Sequence, residues 1–365
     1  MILSLYLARR FLTMFLMVFG GFFAVLYLIE MVEQVRRFSS ADLGFGKTAE
    51  LALLNVPATI YRILPLIAIL SAIGLFLALA RSSELVVIRA AGRSALRMLL
   101  SPILAAFALG ALAVAVLNPV VAGTSKRYEE LSSRYRLGAD NVMSVSGEGI
   151  WLRQGGDTGQ TVIHADRTSG DGTTFQTVSF ITFAPESGPV SRIDGDEATL
   201  EGGSWAIRNA KEWRFGPGTN PEHGSLRQDL VRIASDLTPD QIRDSFGTPS
   251  SIPIWQLPTF IAGLEKAGFS ARRHNVWLQM ELALPLLMAA MVLVAAGFTM
   301  RHARSGRTGT MVLLAVVAGF AIFLLRNFAQ VLGENGQIPV IAAAWSPPVA
   351  ALLLALALVL HLEDG

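Results

Sequence analysis

Four ionisable residues sit inside otherwise apolar runs: Glu30, Arg62, Glu281 and Arg326. Each lies nineteen or twenty residues from a basic residue at the end of its run, namely Arg10, Arg81, Arg301 and Arg307. At about 1.5 Å per helical residue, each rests roughly 28–30 Å from that anchor. Four helices thus bring charge to one depth, near the headgroups of the far leaflet, with Arg36 and Arg37 just above it. An arginine offers a planar fork of donors that fits phosphate, so Arg36, Arg37, Arg62 and Arg326 read as contacts for an amphiphile bearing phosphates. Glu30 and Glu281 would hold arginines in place or bind a divalent ion that bridges lipid phosphates. The bland alternative is snorkelling, in which each long side chain lifts its charge to the headgroups.

A second concentration of charge lies in residues 81–97, RSSELVVIRAAGRSALR, where Arg81, Arg89, Arg93 and Arg97 face one acid, Glu84. Leu85 and Ile88, with Leu96, make an apolar stripe at helical spacing, while Glu84 and Arg89 point elsewhere. Long apolar runs flank the segment on both sides, and short basic loops stay on the cytosolic side of a membrane. It reads as a small amphipathic helix with two possible roles. It lies in the headgroups and sets topology, or it docks through Glu84, Leu85, Ile88 and Arg89 into a groove of a cytosolic partner.

Signals for catalysis are weak. Residues 41–48, ADLGFGKT, end like a phosphate-binding loop, but Ala41 stands where the first glycine is required and no strand precedes it. Asp194 and Asp196, separated by Gly195, resemble an acid pair that holds a metal and a sugar nucleotide, yet read more naturally as a turn before a strand at Glu197. The histidines His164, His223, His274, His302 and His361 are scattered without metal-ligand spacing. No serine sits in a nucleophile elbow. The chain does not read as an enzyme.

These residues need elements to position them, and composition says which. Hydrophobic residues make up 52% and charged residues only 16%, with a mean hydropathy of +0.49, which fits a polytopic membrane protein. Thirty basic and 28 acidic residues nearly balance, so no basic face for nucleic acid is expected. The absence of cysteine excludes disulfides and thiolate metal sites. The first apolar run is too long for a signal-peptide core and is expected to stay as a membrane helix. Six spans follow from the pattern: 11–29, 51–80 (interrupted by Pro57 and Pro65), 98–117 (closed by Asn118 and Pro119), 275–300, 308–330 and 339–361. The second is longer than a bilayer requires and should tilt, kink or protrude. Arginines at 9, 10, 81–97, 301, 304 and 307 place both termini in the cytosol. Arg36, Arg37 and Lys47 break that rule on the outer side.

Between the third and fourth spans lies a polar insertion, 120–274. Residues 126–136 extend the third span as helix. Candidate strands follow at 149–153, 161–165, 177–184, 197–201, 204–209, 212–215 and 226–233, divided by glycine-rich turns. Such a series suggests a sandwich, jellyroll or barrel. Beyond it, Ile254, Leu257, Ile261 and Leu264 would line one face of a helix near the outer surface. The domain plan is therefore 1–119 with a coupling helix at 81–97, a β domain with flanking helices at 120–274, and three further spans at 275–365.

The run SELVVIRAAG at 83–92, the segment EQVRR at 33–37, and the ending GQIP at 336–339 with WSPP at 345–348 together resemble the lipopolysaccharide export permeases LptF and LptG. The likeness covers essentially the whole chain, and LptG is the nearer paralogue. It implies a six-span inner-membrane permease with a periplasmic jellyroll-like β domain, paired with its paralogue above a dimer of the ATPase LptB. ATP and magnesium would be bound by that ATPase, with no cofactor in this chain. Lipopolysaccharide would enter a cavity between the permeases and leave through the jellyroll to LptC and the bridge protein LptA. Glu84 and Arg89 match the family's coupling-helix positions, and Arg36 and Arg37 match basic positions near the cavity, where arginine stands in place of lysine. Two other classes would look different. A transferase acting on lipid-linked sugars needs an acid pair or histidine at the membrane face, and a sensor with a β-domain receptor needs neither six spans nor a docking helix.

Overall fold

The structure, a computed structural model, describes residues 2–38, 44–84, 87–88, 94–135, 143–146, 149–156, 159–168, 173–184, 188–216, 220–235, 237, 242, 248–266, 270–300 and 308–363. Leu85 and Arg89 of the coupling segment lie outside them. The chain divides into two compact units. One comprises Met1–Tyr135, Ser250–Trp255 and Arg272–Gly365; the other comprises Arg136–Pro249 and Gln256–Ala271.

The first unit is helical. Among the described residues, six helices are long and apolar enough to cross a membrane. Helix α1 (Ile2–Arg37) is 36 residues long, about 54 Å at the helical rise. Most of its surface is bare apolar side chain, including Leu16, Met17, Leu28 and Ile29. The long second run breaks in two, as α2 (Phe45–Arg62) and α3 (Leu64–Arg81). Pro65 is the cause: it has no N–H, its ring crowds the carbonyl four residues back, and it sits comfortably only in the first turn of a new helix. Pro57 stays inside α2.

The third run does not stop at Asn118 and Pro119. Helix α4 (Ala95–Leu112) passes through a π-helical turn (Ala113–Leu117) into α5 (Asn118–Tyr135). The wide turn absorbs the proline. Pro119 cannot bond the carbonyl of Ala115, and the Trp255 indole N–H donates to that carbonyl instead at 3.2 Å.

Helix α7 (Arg272–Thr299) is apolar on all sides and correspondingly buried, packing against α3, α4, α8 (Thr308–Glu334) and α9 (Val340–Glu363). Small residues let these backbones close up. A Cβ on Gly110 would lie 2.6 Å from the Pro285 Cα, so α4 and α7 cross where no side chain fits.

The second unit holds seven antiparallel strands in sequential order, each paired with its chain neighbours. They are β1 (Met143–Ser146), β2 (Gly149–Gly156), β3 (Gly159–Thr168), β4 (Thr174–Ala184), β5 (Gly188–Glu201), β6 (Ser204–Arg214) and β7 (Leu226–Ala234). A short amphipathic helix, α6 (Leu257–Lys266), follows, with Leu257, Ile261 and Leu264 buried on one stripe. The strand expectations need three corrections. The two runs at 204–209 and 212–215 form one strand, Ser204–Arg214, and β1 is an addition. Asp194 and Asp196 lie within β5 rather than in a turn. Glycine was read there as a turn former, but Gly195 is needed by packing: a Cβ would meet the Ile207 side chain at 2.4 Å.

One transverse line changes the sheet. Asp166, Thr177, Asp196, Asn209 and Asp229 follow one another across β3 to β7 by register, and all five are exposed. On one side of that line the buried positions are Ile163 and Ala165, Val178 and Phe180, and Ile193. On the other they are Thr168, Phe175, Ala198 and Leu200, and Trp205 and Ile207. The alternation slips by one residue in four strands at once. Thr177 and Asn209 take up the slip with φ of 52° and 51°, a left-handed conformation that is uncommon for asparagine and an outlier for a β-branched residue. Inside, Phe175 stacks on Trp205 at 4.9 Å and Phe180 meets it edge-on at 6.0 Å.

Candidate functional site

In the membrane unit the charged layer resolves into groups with different surroundings. Glu281 is 1% exposed and Arg326 is 7% exposed. Tyr61 on α2 donates a hydrogen bond to Glu281, and the Asn118 amide donates to the same oxygen at 3.2 Å. The Asn118 carbonyl oxygen in turn accepts from the Ile254 N–H at 2.9 Å. The charge of Arg326 acts on both Glu281 and Tyr61. An acid and a base removed from water are tolerable only when each faces the other and finds dipoles. Hydrogen bonds in this cluster therefore tie α2, α5 and α7 together, and Arg326 on α8 is buried in the same unit. Arg62, the neighbour of Tyr61, is exposed, and its charge also reaches Arg326.

A second network joins α1, α2 and α5. Glu30 accepts from Gln34 at 2.5 Å and from Asn55 at 2.8 Å. Gln34 is fully buried and donates also to the Tyr128 hydroxyl at 2.9 Å, which accepts from Arg37 at 2.8 Å. Beneath lies an apolar cluster of Phe38, Leu51, Tyr128 and Leu131. Arg36 is 78% exposed and pairs with Glu33. Arg36, Arg37 and Arg62 thus present donors to the surroundings, whereas Arg326 and Glu281 are turned inward. Among the described residues, no three His, Asp or Glu side chains are grouped to hold a metal.

At the other end of α3, Ser83 adopts φ of 58° and ends the helix, so that Glu84 turns back toward α1. Arg10 donates to both Glu84 oxygens, at 2.8 and 2.9 Å; Tyr6 donates at 3.0 Å and Ser82 at 2.7 Å. The Arg10 hydrogen bond, and after it that of Ser82, hold the Glu84 carboxyl below the usual carboxylate range. The Ser101 hydroxyl on α4 also bonds the Ser4 carbonyl, so the first turns of α1 are fastened on two sides. Ile88 is 7% exposed.

Sequence reasoning named the charges but missed their neutral partners. Tyr61, Asn118, Gln34, Asn55 and Tyr128 are the groups that position the layer, and Arg10 and Tyr6 are those that grip Glu84. A signal existed: Asn118 and Gln34 are amides in otherwise apolar surroundings, where a polar group must find a partner.

Residues 5–361 match the family described as lipopolysaccharide export system permease LptF/LptG. Among curated proteins, the chain is 23% identical over 371 residues to the lipopolysaccharide export system permease protein LptG of Escherichia coli K12, covering 99% of this chain and 98% of that one. It is 20% identical over 353 residues to the LptG of Haemophilus influenzae, covering 92% and 93%. With six membrane-capable helices, a β unit inserted between the third and fourth, and a match from end to end, the chain belongs to the lipopolysaccharide export permease family LptF/LptG.

Proposed function

We propose that this chain is a permease subunit of an ATP-driven exporter that lifts lipopolysaccharide from the outer leaflet of the inner membrane and passes it to a periplasmic bridge. The observation that carries the reading is the full-length family match laid over six spans and an inserted β unit. In this reading the chain pairs with its paralogue above an LptB dimer, which binds ATP and magnesium, and hands lipid to LptC and LptA. Both termini lie in the cytosol, on the side of the basic loops. Arg36, Arg37 and Arg62 meet lipid phosphates, because they are exposed and fork-shaped. Glu281 and Arg326 set the helix packing behind them, and Glu30 orders the amides of α1 and α2.

Glu84, with Leu85 and Arg89, forms the docking surface for the ATPase, while Ile88 of the same segment is buried within this chain. The grip of Arg10 and Tyr6 links that surface to α1, whose apolar middle is largely exposed. A partner's basic residue that takes Glu84 would exchange with Arg10 and free or pull α1. Co-purification tests the reading: the chain captured from membranes should carry the ATPase and a second permease, and Glu84→Arg should lose the ATPase. Capture of the chain with no ATPase under any mild detergent would contradict it.

A further inference from the structure

The outward face of the β-sheet carries a cavity of about 790 Å³ along the line where the alternation slips, well within the range of roughly 300–1,000 Å³ typical of small-ligand sites. We infer that this groove binds a saccharide, the sugar portion of the exported lipid; the second half of that statement rests on the transport reading above. The lining is polar, mixed in sign and already organised. Asp166, Asp194, Asp196 and Asp229 face Arg192, Lys211 and Arg227. Arg192 holds Asp194 with two hydrogen bonds of 2.8 Å, Ser179 donates to it at 2.7 Å, and the Asn209 amide donates to Asp196 at 2.8 Å.

Such internal pairing leaves no strong field of either sign, which disfavours a phosphate or a free divalent cation as the ligand. It leaves carboxylate lone pairs and guanidinium N–H groups fixed in space. A sugar hydroxyl both donates and accepts, and a row of alternating acceptors and donors is what a polyol can satisfy all along its length. Trp213 adds an aromatic ring at the edge of the groove, its indole N–H anchored on Glu222 at 2.7 Å, with Lys211 4.7 Å and Arg192 5.8 Å from its ring centre, two cations that a sugar would have to displace in part. An anchored ring suits the apolar face of a pyranose. Fixing these groups before binding removes the entropy cost that weakens floppy polar sites. The left-handed Thr177 at the centre of the groove is a strained residue retained where such a site would need it. The opposite face is apolar, with Phe175, Phe180 and Trp205 buried there. One sheet thus offers separate surfaces for the two chemistries of a glycolipid.

The test uses the full chain in nanodiscs free of lipopolysaccharide, with saturation-transfer NMR as readout. The probes are the deacylated core oligosaccharide of lipopolysaccharide and a neutral glucan of equal length. The core oligosaccharide should receive saturation. Asp166→Asn with Asp229→Asn, both exposed positions, should weaken binding by about tenfold or more, the worth of a charge-assisted hydrogen bond, and Trp213→Leu should do likewise without lowering the melting temperature of the β unit. No transfer to either sugar, or transfer unchanged in both variants, would overturn the site. Equal transfer to the glucan would keep a saccharide site and overturn its assignment to the exported lipid. ATP-driven release of lipopolysaccharide, measured on the same variants, separates this inference from the transport reading: export with no sugar binding sinks the groove alone.

Discussion

Glu84 is held by its own chain, and that changes what a substitution there reports. Arg10 and Tyr6 reach it from α1, and the side chains of the pair are 26% and 32% exposed. At that exposure the pair contributes at most about 1 kcal/mol. Arg10→Gln should therefore leave the melting temperature nearly unchanged while lowering the lipid exported per ATP hydrolysed several-fold. Equal coupling in parent and variant would remove Arg10 from the route. The pH dependence has a definite sign. Glu84 has a folded pKa below its ordinary 4.5, so its stabilisation is complete above about 4.5 and disappears as pH falls through the depressed value. In paired melts, Glu84→Gln should trail the parent at neutral pH and converge with it only in stronger acid. The buried acid behaves differently. Glu281 is the acceptor shared by Tyr61 and Asn118, so Glu281→Leu leaves two buried donors unmet and should cost about 2 kcal/mol or more, whereas adding Tyr61→Phe should recover part of it. Unfolding in detergent reads both, and an undiminished single variant would show that Glu281 does not fasten these helices.

Elements were legible where one signal dominated and obscure where two competed. Apolar length located all six membrane helices, since a run near twenty residues has few other uses. Pro65 announced a disturbance in the second run, and the break at Ile63 is its result. Pro119 gave the same signal, but the helix continued, because Trp255 supplies a donor to the freed carbonyl from 140 residues away. No local pattern contains that partner. The strands were found from their β-branched runs, yet the centre of β5 was read as a turn. Gly195 and two aspartates are poor strand formers, and only the register across five strands explains them. The site was legible in the same uneven way: charges stood out by depth, while their neutral hydrogen-bond partners on other helices did not. The line where the alternation slips makes a prediction of its own. Thr177→Gly removes a Cβ from a left-handed position and should stabilise the β unit by about 1 kcal/mol. A loss of stability there would mean the threonine side chain contributes more than its strain costs.

For the molecule as a whole, the proposed reading assigns two chemistries of one substrate to separate parts of the chain: exposed arginines of the helical unit, and a sheet with one apolar and one polar face. The helical unit pairs a well-packed centre around α7 with a nearly bare α1. The decisive measurement reconstitutes this chain with its paralogue and ATPase in liposomes carrying lipopolysaccharide, with a photocrosslinker beside Arg37. Lipopolysaccharide should be captured at that position, and ATP should transfer it to a soluble periplasmic acceptor. Arg37→Glu should weaken capture while Arg37→Lys retains it. ATP-driven transfer with no lipid ever captured beside Arg37 would contradict the arginine site, and no ATP-driven transfer from a folded, assembled complex would contradict the account at its centre.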